Sequence, residues 1–294
     1  MALILSSSLL LSTPFLMGAL STLLFGNRRR SSSLPPGLLF HSIIPRPGLE
    51  MSHVAEHRFK QFCSLLADTG FTARTVAEAA RATGATGDSS FKPCLLTFDD
   101  GFKSVVTTAA PILQQYGLKA TVFCLGNHFG TLSDWDIFSG NPHLTKNDIR
   151  SLADMGFEIG SHSHTHAYLP FLDNRSVRSE LATSKEVLED ITGKPVTSLS
   201  FPYGGWNRRI WDIAREEGYN AATLYRGTSP ASKVLFPVFG VYQIDRPEDM
   251  LAKLTDCSFF SPLRARSRMM AHFARGTPVW KFRPEYGFNR RSER

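Results

Sequence analysis

The stretch CLLTFDDG, from Cys94 to Gly101, is an apolar run that ends in two carboxylates and a glycine. A short apolar run closed by a turn signal is typical of a buried strand. Similar runs recur along the chain, and segments with helical spacing separate them. Because strands and helices alternate with short connections, we expect an α/β fold with a parallel sheet or barrel.

Reactive residues stand at the ends of several predicted strands. The strands are GLLFHSI (37–43), CLLTFDDG (94–101), ATVFCLG (120–126), FEIGSHS (157–163), SLSFPYGG (198–205) and YNAATLY (219–225). In parallel α/β folds the carboxyl ends of the strands gather on one face, where active sites are built. We therefore expect residues far apart in the chain to meet in one cleft. They are His41, Asp99, Asp100, His162, His164, His166 and Tyr203.

Two predicted helices have clear boundaries. One begins at Thr145, which forms a capping-box pattern with Asp148, and ends at Gly156. The other carries an apolar stripe at 3.6-residue spacing and ends at Gly193, a typical C-cap residue. The stripe consists of Val177, Leu181, Ser184, Leu188 and Ile191.

Composition and charge divide the chain into a neutral body and a basic tail. The 294 residues are 42% hydrophobic and 20% charged, which is typical of a globular protein. The net charge is +7, and the excess of Lys and Arg lies after Pro262. This tail can form a basic amphipathic helix, which predicts an anionic membrane surface or a pyrophosphate-linked glycan as its partner. No nucleic-acid recognition motif accompanies the charge, so we expect no nucleic-acid partner.

The first 26 residues carry no charge, and NRRRSSSLPPG follows them. Basic residues on the carboxyl side of an apolar segment favour a cytoplasmic location for the domain that follows. A membrane anchor, a secretory signal and an over-extended start remain open for this segment. We divide the chain into an apolar N-terminal segment (1–33), a main domain (34–255) and a basic tail (256–294). The predicted location is cytoplasmic, with membrane association as the alternative.

The four cysteines stand far apart and form no CxxC pair. This spacing indicates neither a disulfide framework nor a zinc finger. We expect buried free thiols at Cys63, Cys94, Cys124 and Cys257.

The stretch SHSHTHAYL (161–169) places three histidines at alternate positions. On a strand all three would share one face, whereas in a helical turn only His162 and His166 would do so. Zinc and similar ions favour imidazole nitrogen with carboxylate oxygen, and catalytic sites keep three protein ligands. Two histidines and one aspartate fit that count. An Asp-Asp-Gly sequence is commonly a turn, but one carboxylate can also bind a metal while the other accepts a proton.

Three stretches together resemble a known family. In their order, LLTFDDGF (95–102), EIGSHSHTHAYL (158–169) and SLSFPYGGWN (198–207) are similar to successive motifs of the NodB-homology polysaccharide deacetylases, carbohydrate esterase family 4. The resemblance extends over about 38–225. It implies a distorted, incomplete barrel of the (β/α)7 type. It also implies a hydrolase of linear amides that removes N-acetyl groups from amino sugars of a polysaccharide or lipid-linked glycan.

The resemblance also implies roles for individual residues. Asp99 would be the catalytic base, and the backbone N–H of Tyr203 would stabilise the oxyanion. The family pattern of His, Ser or Thr, two free positions and His matches 162–166. Asp100, His162 and His166 would then hold a divalent metal, with zinc expected, and His164 would occupy a free position.

The chain departs from the family at two points. Ser200 stands where the family often has the arginine that orients the base. The late Leu-x-His motif that supplies the general acid is missing, and we hypothesise that His41 or His164 protonates the leaving amine. Two alternatives remain open: a metal-dependent amidase acting on a non-sugar amide, and a degraded deacetylase domain that binds glycan without turnover.

Overall fold

The computed structural model describes residues 34–83, 92–134, 140–225 and 232–255, together with Met269. The predicted N-terminal segment and all of the basic tail except Met269 lie outside these residues. The helix predicted in that tail is therefore untested.

The described residues contain ten strands, and seven of them run parallel and close into a barrel. In chain order the strands are β1 (Gly37–Phe40), β2 (Ser42–Ile44), β3 (His53–Ala55), β4 (Phe71–Arg74), β5 (Lys92–Phe98), β6 (Thr121–Cys124), β7 (Glu158–Ser161), β8 (Ser198–Ser200), β9 (Ala221–Tyr225) and β10 (Leu235–Gly240). The barrel follows the order β1-β10-β9-β8-β7-β6-β5, and β1 pairs with β5 to close it. β4 extends the sheet beside the first half of β5, and β2 and β3 form a separate parallel pair.

Helices follow the strands and cover the barrel. They are α1 (Glu56–Ala67), α2 (Val76–Ala82), α3 (Ala110–Gln115), α4 (Lys146–Asp154), α5 (Asn174–Thr192), α6 (Arg208–Glu216) and α7 (Pro247–Thr255). A π-helical turn, Val105–Ala109, precedes α3, and 3-10 turns lie at Leu169–Phe171 and Pro202–Gly204. The (β/α)7-type barrel is confirmed. Its distortion shows between β7 and β8, where the pairing is limited to Ser161 opposite Leu199.

Local sequence signals explain the helix boundaries. Thr145 and Asp148 form the predicted capping box of α4. α5 ends at Gly193, whose φ of 65° is the left-handed conformation that favours glycine. The predicted stripe of α5 is buried at all five positions, so this helix packs as its period indicates.

Aromatic packing fixes two strand ends that matter for the site. The rings of Phe40 and Phe98, the last residues of β1 and β5, lie 5.4 Å apart, and Phe59 of α1 packs against both. The backbone N–H of Asp99 donates to the carbonyl of Phe40 over 2.9 Å. The residues that follow these strands, His41 and Asp99, are therefore held side by side.

The thiols of Cys63 and Cys124 are free and buried, as predicted, and Cys94 is buried as well. Burial raises the pKa of Cys63 and Cys124 to about 12, so both are protonated at neutral pH. Cys257 lies outside the described residues. Within the part of the chain that the structure describes, no helix has the length and apolar character needed to cross a bilayer.

Candidate active site

The barrel brings most of the predicted site residues together at the carboxyl ends of its strands. Asp99 and Asp100 follow β5, and His162 and His166 follow β7. All four side chains are buried. Tyr203 follows β8, and its ring meets that of His166 edge to face with 4.5 Å between the centroids. Strand order therefore assembles the cleft that the sequence predicts.

Three side chains converge as a candidate metal site. Oδ1 of Asp100 lies 3.3 Å from Nε2 of His162 and 3.2 Å from Nε2 of His166. One donor atom from each residue lies within 4.8 Å of the others. Two imidazole nitrogens and one carboxylate oxygen form the donor set that zinc and similar ions prefer, and three protein ligands leave room for substrate or water. The residues present therefore fit a divalent ion.

A hydrogen bond orients the His162 ring. Nδ1 of His162 donates to the backbone carbonyl of Ser200 over 2.9 Å. When the ring is neutral, this bond leaves the lone pair on Nε2, the nitrogen that faces Asp100. Ligand histidines are commonly oriented by such a second hydrogen bond.

The backbone around the site is strained. Four non-glycine residues among the described ones have a φ in the left-handed region: Asp100 (66°), Ser163 (67°), His166 (62°) and Tyr203 (56°). Each such conformation costs roughly 1–3 kcal/mol. Strain of this kind clusters at functional sites, where the surrounding structure enforces it. All of these residues belong to the loops that carry the candidate ligands and Tyr203.

The glycine after the aspartates is required by space as well as by conformation. Gly101 has a φ of 63°, and a Cβ at this position would lie 3.3 Å from the Cα of Cys124 on the neighbouring strand. The Asp-Asp-Gly sequence therefore forms a tight left-handed turn against β6. This turn directs the Asp100 carboxylate towards the two histidines.

The two adjacent carboxyl groups have opposite pKa shifts. Burial raises the pKa of Asp99, and this effect outweighs the lowering by His162 and His41. Burial also opposes ionisation of Asp100, but hydrogen bonds from His162 and His166 hold its pKa well below the usual range. A pair of carboxyls with separated pKa values is suited to two roles, with one as a permanent anion and the other as a proton acceptor.

The two imidazoles also differ. Burial disfavours the charged form of both, but Asp99 and Asp100 together raise the pKa of His162. Burial dominates at His166 and lowers its pKa to about 4. His166 is therefore neutral at pH 7, the form in which imidazole binds a metal.

Ser200 fixes the orientation of Asp99. Its Oγ donates to Oδ2 of Asp99 over 2.8 Å. The other oxygen of Asp99, Oδ1, is buried and has no hydrogen-bond partner among the described residues. The serine that replaces the family's arginine thus occupies one carboxylate oxygen and leaves the other able to accept a proton.

The two candidate proton donors lie in different places. His41 follows β1 and stands beside Asp99, because the backbone N–H of Asp99 donates to the carbonyl of Phe40 over 2.9 Å. The His164 ring packs instead against Gly126, since a Cβ on Gly126 would lie 2.6 Å from Nδ1 of His164. The geometry therefore favours His41 over His164.

His143 is a site residue that sequence reasoning missed. Its Nδ1 donates to the backbone carbonyl of Asp100 over 2.9 Å. It lies opposite Phe102 in an isolated antiparallel bridge, and its ring is 5.3 Å from that of His128. Both histidines lie between β6 and α4, in described segments that carry no helix or named strand. No periodic pattern predicts that this stretch folds back onto the turn after β5.

Comparisons with known proteins agree with this geometry. Residues 86–222 match the family described as Polysaccharide deacetylase. YxkH of Bacillus subtilis, provisionally named a polysaccharide deacetylase, is 31% identical over 184 residues, which are 63% of this chain and 62% of that protein. A chitin deacetylase of Pestalotiopsis sp is 32% identical over 125 residues, or 42% of this chain and 39% of that protein. The chain thus spans less than two thirds of these relatives.

A solved structure shows the same fold. The deacetylase PplD of Streptococcus pyogenes, in complex with acetate, superimposes with a TM-score of 0.66 and 21% identity. The match covers 75% of this chain and 97% of that one. At this identity the likeness establishes the barrel and not the activity.

Proposed function

We propose that the chain is a metal-dependent hydrolase of N-acetyl groups on glycan amino sugars. Its residues 86–222 match the polysaccharide deacetylase family, and its similarity to YxkH supports the same assignment. The observation that carries this proposal is the convergence of Asp100, His162 and His166 beside the raised-pKa carboxyl of Asp99. The chitin deacetylase relative supports an N-acetylated glycan as the substrate class. A polysaccharide and a lipid-linked glycan are the two forms that we propose to test.

Asp100, His162 and His166 would hold the ion, and we propose zinc because the donor set is two imidazoles and one carboxylate. When bound, zinc supplies a positive charge that polarises the acetamide carbonyl and makes water more acidic. The low pKa of Asp100 and the neutral state of His166 keep both side chains in the forms that bind a cation.

Asp99 would accept the proton of the attacking water. Its free oxygen Oδ1 is the accepting atom, because Oδ2 already receives the hydroxyl of Ser200. General bases work best with a pKa near the operating pH, and burial shifts the pKa of Asp99 upwards in that direction.

Tyr203 would stabilise the negative charge that develops on the carbonyl oxygen. The left-handed backbone of Tyr203, with a φ of 56°, lies in the turn next to His166. A fixed backbone N–H at such a turn is typical of an oxyanion hole.

His41 would complete the reaction by protonating the leaving amine. Water adds to the carbonyl carbon, the carbon–nitrogen bond breaks, and the nitrogen leaves with a proton from His41. The products are acetate and a free amino sugar. An amine is a poor leaving group without that proton, so the position of His41 beside Asp99 is part of the proposal.

A screen for acetate release tests the proposed function. The full chain, stripped of metal and reloaded with zinc, is incubated with chitooligosaccharides, peptidoglycan fragments and lipid-linked glycans. We expect zinc-dependent acetate release from at least one of them, and none from the stripped protein. Zinc binding without acetate release from any of these glycans would overturn the proposal, and would leave the non-sugar amidase and the non-catalytic glycan-binding domain.

A further inference from the structure

An exposed aromatic side chain lies one loop away from the candidate metal site. Phe171 ends the 3-10 turn Leu169–Phe171, and 54% of it is exposed. Its ring meets the half-buried ring of Tyr168 edge to face, with 4.8 Å between the centroids and an interplanar angle of 76°. Edge-to-face packing is a favourable geometry for two aromatic rings, so the pair has a defined arrangement.

This aromatic pair is held firmly. Leu169, which lies between Tyr168 and Phe171 in the sequence, is fully buried. The Tyr168 ring packs so closely on Gly205 that a Cβ there would collide with it. Nη2 of Arg209 donates to the carbonyl of Leu172, the next residue, over 3.0 Å. The turn is thus fixed to the core, to the loop after β8 and to α6, and binding at this surface would order few additional groups.

A continuous aromatic path connects the pair with the site. The centroid of the Tyr168 ring lies 6.4 Å from that of Tyr203, and the Tyr203 ring lies 4.5 Å from that of His166. The exposed ring of Phe171 therefore stands at the outer end of a run of rings that begins at a candidate metal ligand. A ligand in the site that extends past Tyr203 would meet this surface.

The position of Phe171 in the barrel distinguishes it from Met155, another exposed apolar residue. Met155, 46% exposed, follows α4 and precedes β7, at the amino end of the strands. Phe171 follows β7, at the carboxyl end where the site lies. The two exposed side chains thus lie at opposite ends of the same strand, and only Phe171 is near the site.

We propose that Tyr168 and Phe171 form a subsite for the sugar next to the one that is deacetylated. A hexosamine ring has a face of C–H groups, which packs on the electron-rich face of an aromatic ring, while its hydroxyl groups remain in water. The pair carries no charge, which fits a neutral N-acetylated sugar. This inference rests on the proposed function, because it takes the reacting sugar to lie at Asp100 and Asp99. The inference goes beyond that function because it assigns the preference for oligomers over a single sugar to Tyr168 and Phe171.

Kinetics on sugars of increasing length test the subsite. N-acetylglucosamine and its oligomers up to the pentamer are given to the wild type and to the Phe171→Ala, Phe171→Trp and Met155→Ala variants. In Phe171→Ala we expect KM for the tetramer and pentamer to rise about three- to tenfold, with a smaller change for the monomer. Phe171→Trp should keep KM near the wild-type value because it retains an aromatic ring, and Met155→Ala should leave KM unchanged. Equal KM values in the wild type and Phe171→Ala, or an equal rise in Met155→Ala, would overturn the subsite.

A binding measurement separates this subsite from the proposed function. Calorimetry compares pentamer binding to Asp99→Asn, which lacks the proposed base, and to the Asp99→Asn/Phe171→Ala double variant. We expect the double variant to bind about three- to tenfold more weakly. This result would support the subsite even if the wild type released no acetate. Equal affinities, or no binding to either protein, would contradict it even if acetate release were normal.

Discussion

The two ends of the barrel hold their carboxylates in opposite ways. At the amino end, Glu158 opens β7 and accepts three hydrogen bonds from neutral donors. Its Oε2 accepts from the backbone N–H of Ala77 over 3.0 Å and from Oγ1 of Thr121 over 2.7 Å. Its Oε1 accepts from Oγ of Ser198 over 2.6 Å. Glu158 thus ties α2, β6 and β8 to β7.

At the carboxyl end, Asp99 and Asp100 are buried with fewer neutral donors. One oxygen of Asp99 has no partner among the described residues, and Asp100 faces two imidazoles from a left-handed backbone. A buried charge is stable when it is paired or bound to a metal. The contrast teaches that Glu158 stabilises the folded chain by itself, whereas the aspartates are arranged for an ion and a substrate.

The largest expected effect is the loss of activity in Asp99→Asn. An amide cannot take a proton from water, so we expect kcat for acetate release to fall about a thousandfold. Zinc content should not change, because Asp99 is not among the three candidate ligands. Acetate release assays and metal analysis check both points, and a variant that retains more than a tenth of wild-type kcat would remove Asp99 from the role of base.

Glu158→Ala should lower stability and leave activity nearly unchanged, the reverse of what we expect for Asp99→Asn. Three donors would lose their acceptor, and we expect the free energy of unfolding to fall by about 2 kcal/mol. The kcat of the folded protein should remain within about twofold of the wild type, because Glu158 lies at the other end of the strands. Urea unfolding and acetate release measured on the same preparation test this. A large fall in kcat at unchanged stability would break the comparison.

Two serines of β8 offer a matched pair for a finer test. Ser200 donates to Asp99 and Ser198 donates to Glu158, and the two residues lie on the same face of one strand. We expect Ser200→Ala to lower kcat about tenfold and Ser200→Thr, which keeps the hydroxyl, to restore it. Ser198→Ala should lower stability and leave kcat unchanged. An equal loss of kcat in the two alanine variants would show that Ser200 has no specific effect on Asp99.

The smallest effect that we predict is a pH dependence of the metal-free protein. Burial lowers the pKa of His143 to about 4, below its ordinary value of 6.5. Between these values the unfolded chain binds more protons than the folded one. The contribution of His143 to the free energy of unfolding is therefore fully present above about pH 6.5. This contribution should fall by about 1 kcal/mol from pH 7 to pH 5.5. His166, whose pKa is also lowered to about 4, contributes a similar fall over this range. His143→Gln keeps a donor for the Asp100 carbonyl and should make the pH dependence of thermal melts shallower by its own share of about 1 kcal/mol. An equally steep dependence in the variant would contradict the shift.

The candidate ligands could be predicted because they depend on two simple rules. Apolar runs predict the strands, and parallel strands place their carboxyl ends on one face, so the two aspartates and the three histidines were expected to meet. The family resemblance then singled out Asp100, His162 and His166 as the ligands. His143 was missed because an irregular stretch carries it to the turn after β5. β10 was not predicted either. It contains Pro237, a residue that disfavours a strand, and closure of the barrel outweighs that preference.

Some predictions concern residues that the structure does not describe. They include the division of the chain at 33 and 255, the apolar N-terminal segment and the basic amphipathic helix of the tail. A cytoplasmic location and association with an anionic membrane depend on those segments and remain proposals.

The most direct test of the central claim is the zinc content of the wild type and of Asp100→Ala. Both proteins are loaded with zinc, desalted and analysed by mass spectrometry. Because Asp100, His162 and His166 form the candidate site, we predict about one zinc per wild-type chain and nearly none in the variant. A wild type without zinc, or equal zinc in both proteins, would contradict the account.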